Sequence, residues 1–350
     1  MPVTISDVAH SAGVSIKTVS RVLNWESNVS EETRRKVLST IEALGYQPNP
    51  SAQQLARGRS ALIGLLFHDA ASSYIIEVLN GLLEISEVQG YRVSLHHCDI
   101  SNPDDIATVI RMASQRQIDG LVFTPPCDNS TQIVEALQSM DFPFVQLTPH
   151  ERSPHCAWVT ATDEQGAFEI TRHLLELGHR RIGIIQGTCN HQASCDRLSG
   201  FRRAFLSYGL EPAVDLIQPG SWTFESGLEC AAKLLGMKNR PSAIVAANDE
   251  VAAGVIQAAW RLGIQCPAQL SVVGFDDVPL AKQLCPPLTT VRQPIREIAK
   301  TAMSILIEHL IQGNGKIRNV QVPTQLIVRQ STMHLSDLAG DLVHLRNGGP

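Results

Sequence analysis

Two groups of residues have the types and spacing to do chemistry. The first is Ile16, Lys17 and Arg21, which lie at the start of a short helical pattern. An arginine can grip guanine O6 and N7 through paired hydrogen bonds, a lysine can do so as a point charge, and an isoleucine offers only a methyl contact, best matched by thymine. The second group follows apolar runs later in the chain: Asn248-Asp249 after residues 244–247, Asp276-Asp277 after 272–275, and Arg197 opening a helical stretch. Carboxylates, an amide, a guanidinium fork and an aromatic plate are what a hydroxyl-rich ligand needs. Each also has a plainer use. Asn248 or Asp276 could cap the next helix, and Arg197 could pair with Asp196 or another surface acid.

The elements that position the first group are legible locally. Thr4 and Asp7 have capping-box spacing. Ala9 is small enough for a second helix to pass, Gly13 suits a turn of positive φ, and Ser15 can cap the second helix. Val8, Ala12, Val14, Val19, Val22 and Leu23 then fall on faces that can meet in a small core, which leaves Ile16, Lys17 and Arg21 outward. A helix-turn-helix presents such positions to the major groove; a capped hairpin with no DNA role is the plain alternative. Ser30 opens a third helix that carries Glu31 and Glu32 at its positive end and stops at Gly45. Beyond Pro48 and Pro50, residues 51–57 have room for about two helical turns, marginal unless something packs on them. Residues 1–60 carry a net charge of +2 and the remainder −7, a DNA-binding end on a body that does not itself grip phosphates.

From residue 62 onward, short apolar runs alternate with helical stretches. Strands are predicted at 62–67, 91–97, 120–124, 144–147, 157–161, 181–186, 242–247 and 270–274. Helices are predicted at 75–89, 103–116, 166–177, 198–207, 224–235, 251–262 and 295–311. Repeated strand–helix units mean parallel sheets covered on both faces, here in two lobes of about 62–161 and 162–290. Ligands of such sheets bind beyond the carboxyl ends of the strands, so two facing lobes make a cleft.

The block from Thr4 to Asn24, the Asn49-to-Ala56 hinge and this body together resemble the lactose/galactose-repressor (LacI/GalR) family of bacterial transcription regulators, over roughly residues 3–332. The resemblance implies an α/β fold. An N-terminal all-α helix-turn-helix domain (1–47) and a hinge helix (48–60) precede a two-lobed, type I periplasmic-binding-protein-like body (61–334) that binds effector and dimerises. Lobe 1 would hold about 61–161 and 293–320, lobe 2 about 162–290 and 323–334, with three lobe crossings and a flexible tail over 335–350. It places base reading on Ile16, Lys17 and Arg21, and phosphate positioning on Thr4, Ser15, Thr18, Ser20 and Asn24. Leu55 matches the hinge leucine wedged into the minor groove, where an apolar wedge unstacks a base step and bends the duplex. Effector contacts fall on Arg197, Asn248 and Asp276, with Trp222 as stacking platform, Tyr74 lining the near lobe and Gln293 near a crossing. Thr162-Asp163 replaces a frequent Asp-Asn pair, and Ser72-Ser73-Tyr74-Ile75 a frequent Asn-Pro-aromatic-aromatic pattern; both departures bear on the effector alone.

The expected function is a cytoplasmic, sequence-specific regulator, a repressor of a carbohydrate-use operon controlled by a small sugar; the alternative is a nucleobase or nucleoside corepressor. The expected partners are pseudopalindromic double-stranded operator DNA, a small-molecule effector and a second copy of the chain, as a homodimer or a tetramer, with no membrane. Catalysis and cofactors are not expected: Walker motifs, GxSxG, a dinucleotide fingerprint and paired zinc ligands on one helix are all missing. His96-His97-Cys98 and His150/His155-Cys156 lack zinc spacing, and eight scattered cysteines read as reduced thiols. No apolar run approaches the roughly twenty residues that span a bilayer, and no basic segment precedes an apolar core at the N-terminus. Leu335, Leu338, Leu342 and Leu345 have coiled-coil spacing, but fewer than two heptads with Gly340 inside favour a frayed tail.

Overall fold

The computed structural model describes residues 3–23, 28–46, 60–68, 73–312 and 317–338. The chain forms two compact units, Met1–Ala61 and Leu62–Pro350. The hinge segment read over 48–60, with Leu55, lies outside the described residues except for Ser60, and Asn24 is outside them too.

In the first unit, three helices, α1 (Ile5–Ala12), α2 (Ile16–Leu23) and α3 (Glu31–Leu44), close over a core of Val8, Ala9, Ala12, Val19, Val22 and Val37. Thr4 caps α1 in a reciprocal box: its N–H donates to Asp7 Oδ2 at 2.8 Å, and the Asp7 N–H donates to Thr4 Oγ1 at 3.4 Å. Those hydrogen bonds from Thr4 hold the Asp7 carboxyl below its ordinary pKa. Gly13 has φ +62°, so α1 ends there without a Cβ penalty and Val14 N–H closes back on the Ala9 carbonyl at 3.0 Å. Ser15 Oγ accepts from the Thr18 N–H at 3.1 Å and opens α2; Ser30 Oγ does the same for α3 through Thr33 N–H.

The second unit holds two six-stranded sheets. The first runs β11-β5-β4-β3-β1-β2 and is parallel throughout: β1 (Leu62–Phe67), β2 (Arg92–His97), β3 (Gly120–Phe123), β4 (Phe144–Leu147), β5 (Ala157–Ala161) and β11 (Asn319–Val322). The second runs β12-β10-β9-β8-β6-β7, with β6 (Ile182–Ile185), β7 (Ile217–Gln218), β8 (Ala243–Ala246), β9 (Ser271–Asp276), β10 (Thr289–Arg292) and β12 (Gln325–Ile327), the last antiparallel to β10. Strands β3, β6, β8 and β9 are buried along their whole length, as a parallel sheet covered on both faces requires. The helix Ile295–Gln312 packs Ile298, Ala302, Met303 and Leu306 into the core of the first sheet with Ile63, Leu65 and Val122.

The chain passes between the sheets three times: after β5, after β10 and after β11. The first and third passages are tied together, since the Thr324 N–H donates to Thr162 Oγ1 at 2.9 Å and the two hydroxyls lie 3.1 Å apart. Strands β7, β10, β11 and β12 are absent from the sequence reading because none carries a continuous apolar run; β7, β11 and β12 are partly exposed sheet edges. The helix predicted at 198–207 begins six residues earlier, at Gln192, so Arg197 sits in its second turn rather than opening it. The helix Thr131–Ser139, capped by Ser130, was also not read from the sequence. Residues 335–338, read as the start of a flexible tail, instead form a helical turn fixed by the Leu335 N–H donating to the Leu177 carbonyl at 2.8 Å. Among the described residues no helix is long and apolar enough to cross a membrane, and all eight cysteines are free thiols.

Candidate functional site

On the helical unit, Ile16 is 49% exposed although it is aliphatic, Lys17 is exposed and Arg21 is half-buried, all on α2. Val19 and Val22 on the opposite face are buried, so packing fixes which side of α2 is offered outward. Thr4 and Ser15 stand at the starts of α1 and α2, where they act as caps. Thr18 shares its hydroxyl with Ser15 at 2.9 Å, and Ser20 is half-buried.

In the body, the polar groups gather at the carboxyl ends of β5, β8, β9 and β10, around Arg197. Its Nε donates to Asp163 Oδ1 at 2.9 Å and one terminal nitrogen lies 2.8 Å from the same oxygen; the other donates to the Ala247 carbonyl at 2.5 Å. Contacts to Asp276 Oδ1 and Gln293 Oε1 are longer, both 3.4 Å. The guanidinium carbon lies 3.6 Å from the centroid of the Phe275 ring and 5.3 Å from that of Trp222, so the cation is held by faces as well as by edges. Three short contacts and two slack ones describe a group anchored on Asp163 and the Ala247 carbonyl, with Asp276 and Gln293 within reach of a third party.

Asp276 ends β9 with φ +107° and Asp277 follows at +57°, uncommon conformations for residues with a Cβ. Asp277 is locked from both sides, by Arg292 Nε at 2.8 Å and by Arg329. The Asp276 carbonyl accepts from the Gln293 N–H at 3.2 Å, directly at a passage between the sheets. Burial pushes the Asp276 carboxyl up to about 7, against the pull of Arg197, and raises Asp163 in the same way. Asp249, behind them, is also pushed well up by burial and by Asp276. Its two oxygens accept from the Thr290 hydroxyl at 2.6 Å and the Val278 N–H at 2.9 Å.

Asn248 takes the helix-cap use foreseen as its plainer alternative: Oδ1 accepts from the Val251 N–H at 2.8 Å, while Nδ2 donates to the Trp222 carbonyl at 3.0 Å. It thereby places Trp222 as well as the helix Asp249–Arg261. The Trp222 indole lies against Gly187, where an added Cβ would sit 2.4 Å from the ring, and beside His191 at 5.5 Å. Its Nε1 is buried and has no partner among the described residues. Tyr74, in the helix Ser73–Val88, has its hydroxyl buried beside Thr148; that burial raises its phenol well above the ordinary range. Arg197 does not pair with Asp196; Asp196 instead meets Arg152 of the facing lobe. The lobes also join through Ser73 N–H to Glu250 Oε1 at 3.2 Å and Asn129 Nδ2 to the Asn190 carbonyl at 2.9 Å.

The structure therefore brings Arg197, Asp276, Gln293 and Trp222 to one place, sets Asn248 behind Trp222, and puts Tyr74 on the other wall. Sequence reasoning missed Asp163 as the main partner of Arg197 and Phe275 as the plate beneath it. The only available signals were the position of Phe275 at the end of an apolar run and the Asp163 that departs from the family pattern. Among the described residues no cluster of three or more His, Cys, Asp or Glu could hold a metal ion.

Comparison with known proteins matches both parts. Residues 4–49 match the bacterial regulatory proteins of the lacI family, and residues 171–332 match the periplasmic binding protein-like domain. Catabolite control protein A of Priestia megaterium is 34% identical over 333 residues, covering 95% of this chain and 100% of that protein. The chain belongs to the LacI family. This LacI-family chain is a DNA-binding transcriptional regulator. It is also similar to the HTH-type transcriptional repressor PurR of Photobacterium profundum, at 32% identity over 95% of this chain and 99% of that one. Among solved structures, the lac repressor dimer bound to operator and the anti-inducer ONPF has a TM-score of 0.78 at 30% identity, covering 95% of this chain and 100% of that chain. The complex of the transcriptional regulator CelR with cellobiose has a TM-score of 0.72 at 26% identity, covering 94% and 99%.

Proposed function

We propose that this LacI-family regulator is a cytoplasmic repressor of a carbohydrate-utilisation operon, and that a small sugar or sugar derivative bound between the lobes controls it. The observation that carries the sugar reading is the setting of Arg197, edged by Asp163, Asp276 and Gln293 and faced by Phe275 and Trp222. Side chains that give and take paired hydrogen bonds, beside an aromatic face, suit a ring dense in hydroxyls. Arg197, Asn248, Asp276, Trp222, Tyr74 and Gln293 are the assigned effector contacts, with Asn248 acting through its hold on Trp222. That the similar regulator CelR is seen with cellobiose supports the class without fixing the compound.

On DNA, Ile16, Lys17 and Arg21 read base edges, while Thr4, Ser15, Thr18, Ser20 and Asn24 position the phosphates and Leu55 wedges the minor groove. A homodimer would match a pseudopalindrome, each copy taking one half-site; the operator-bound dimer of the lac repressor supports this. Effector then acts by population shift, favouring one arrangement of the lobes over another. The aromatic pair Tyr74 and Trp222 favours a second reading, a nucleobase corepressor, since flat rings would stack on either. Fluorescence anisotropy decides between them. A labelled duplex selected from a random pool is titrated with the protein, alone and with glucose, ribose, cellobiose, adenine or hypoxanthine. A sugar that moves operator affinity in wild type but not in Asp276→Ala supports the first reading; a response to the bases alone supports the second.

A further inference from the structure

We propose that Asp128 and Asn129 form a second recognition point in the cleft, on the wall facing Arg197, and that with Asp163 and Asp276 they restrict it to uncharged or cationic ligands rich in hydrogen-bond donors. The inference rests on the reading of this cleft as the effector site and adds the chemical class that the site accepts.

Asp128 and Asn129 lie in the single turn Cys127–Asn129 that follows β3, at the carboxyl edge of the first sheet. Asp128 is only 7% exposed; its Oδ2 accepts from the His150 N–H at 2.8 Å, and its Oδ1 is buried with no partner among the described residues. Asn129 reaches the facing lobe with its amide nitrogen, while its Oδ1 is likewise buried and unmatched. Across the cleft Asp163 Oδ2 has the same character. The corresponding donors are Trp222 Nε1 and, at the rim, Arg152 Nε. Acceptors awaiting a donor thus outnumber donors awaiting an acceptor, and buried polar groups are normally matched. A fitting ligand gives more hydrogen bonds than it takes.

Charge selects in the same direction. Asp128, Asp163 and Asp276 are buried carboxylates, and Arg197 is already held by Asp163 and the Ala247 carbonyl. Arg152 at the rim is paired with Asp196. His191, beside Trp222, is pushed down to about 4 by burial and by the charges of His150, Arg197 and His68, so it adds no cation at neutral pH. An anionic group entering here meets buried carboxylates, while Arg197 and Arg152 are already paired with carboxylates of their own. Burial also raises Asp128 to about 6 and Asp276 to about 7, so a ligand that donates to them favours their ionised forms and releases protons as it binds.

Isothermal titration calorimetry of the full-length protein with glucose, ribose, cellobiose, glucosamine, glucose 6-phosphate and hypoxanthine, repeated in two buffers of different ionisation enthalpy at pH 6.5, tests this. The expected result is binding of at least one uncharged or amino member with net proton release, and glucose 6-phosphate at least tenfold weaker than glucose. Asp128→Asn, which is isosteric and keeps a carbonyl for the His150 N–H, should weaken the tightest member at least fivefold and narrow the discrimination against glucose 6-phosphate. Preferred binding of glucose 6-phosphate, an Asp128→Asn affinity within twofold of wild type, or no binding by any member would overturn the proposal. If Arg197→Lys abolishes binding while Asp128→Asn does not, the effector cleft stands and this assignment falls. If binding survives both substitutions, the cleft reading falls with it.

Discussion

Asp276→Asn should stabilise the effector-free protein, and by an amount that grows with pH. The carboxyl is 8% exposed at the end of β9, and burial raises it from its ordinary 3.8 to about 7 despite Arg197. The unfolded chain releases this proton near pH 4 and the folded chain only near 7. The group therefore costs nothing below pH 4, costs progressively more as pH rises through this window, and levels off above it. The full difference amounts to about 4 kcal/mol, at about 1.4 kcal/mol per pH unit. At pH 5 only about 1.5 kcal/mol of that is felt, so the advantage of the amide variant should widen by about 2–3 kcal/mol between pH 5 and 8. Loss of the 3.4 Å contact to Arg197 lowers the variant's curve without tilting it, because Arg197 stays charged throughout and keeps Asp163. Neighbouring Asp163 and Asp249, both raised, lose a like charge in the variant and flatten its curve further. Urea unfolding of both proteins at pH 5, 6, 7 and 8 gives the difference directly. A gap that stays constant or shrinks as pH rises would refute the claim that Asp276 is ionised at a cost in the closed cleft.

Three more outcomes follow from the geometry. Arg21→Ala should relax base preference at one position of each half-site, with a loss of about 1–3 kcal/mol per contact; a uniform loss across all sequences, measured by competitive binding, would make Arg21 a phosphate contact. Gly187→Ala should push the Trp222 indole out of its seat, since the new Cβ would start 2.4 Å from the ring; the fluorescence component lost in Trp222→Phe should shift to longer wavelength, and an unchanged spectrum would count against the packing. Thr4→Ala should lower the stability of the helical unit by about 1 kcal/mol through loss of its side-chain cap, read from its thermal midpoint, and Asp7→Ala, which removes the 2.8 Å bond from the Thr4 N–H and the 2.7 Å bond from its hydroxyl, should cost at least as much.

Local signals made much of this legible. Thr4, Asp7, Gly13, Ser15 and Ser30 act through neighbours three to five residues away, so their caps and turn could be read before any tertiary structure was known. Alternating apolar runs likewise fixed the central strands, whose burial on both faces leaves an unbroken pattern. Arg197 and Asp276 stood out by their residue types and their places beside apolar runs or a helical stretch, but Gln293 and Trp222 were reachable only through family likeness, because 96 positions separate Arg197 from Gln293. Asp163 escaped notice because its partner is 34 residues away and its role appears only where β5 delivers the chain to the second lobe. Edge strands β7, β11 and β12 were illegible for a different reason: a strand half open to solvent needs few apolar side chains, and theirs are interspersed with Asn and Gln.

The knot of threonines at 162 and 324 fastens the first strand passage to the third, and Arg292, at the second, is held with Arg329 on Asp277. Two bodies pinned along one margin can swing but scarcely slide. Displacement then grows with distance from the pins and falls on the bonds that join the lobes elsewhere, Arg152 to Asp196 and Asn129 to Asn190. Those latches, rather than the strand passages, would then set how freely the two lobes part.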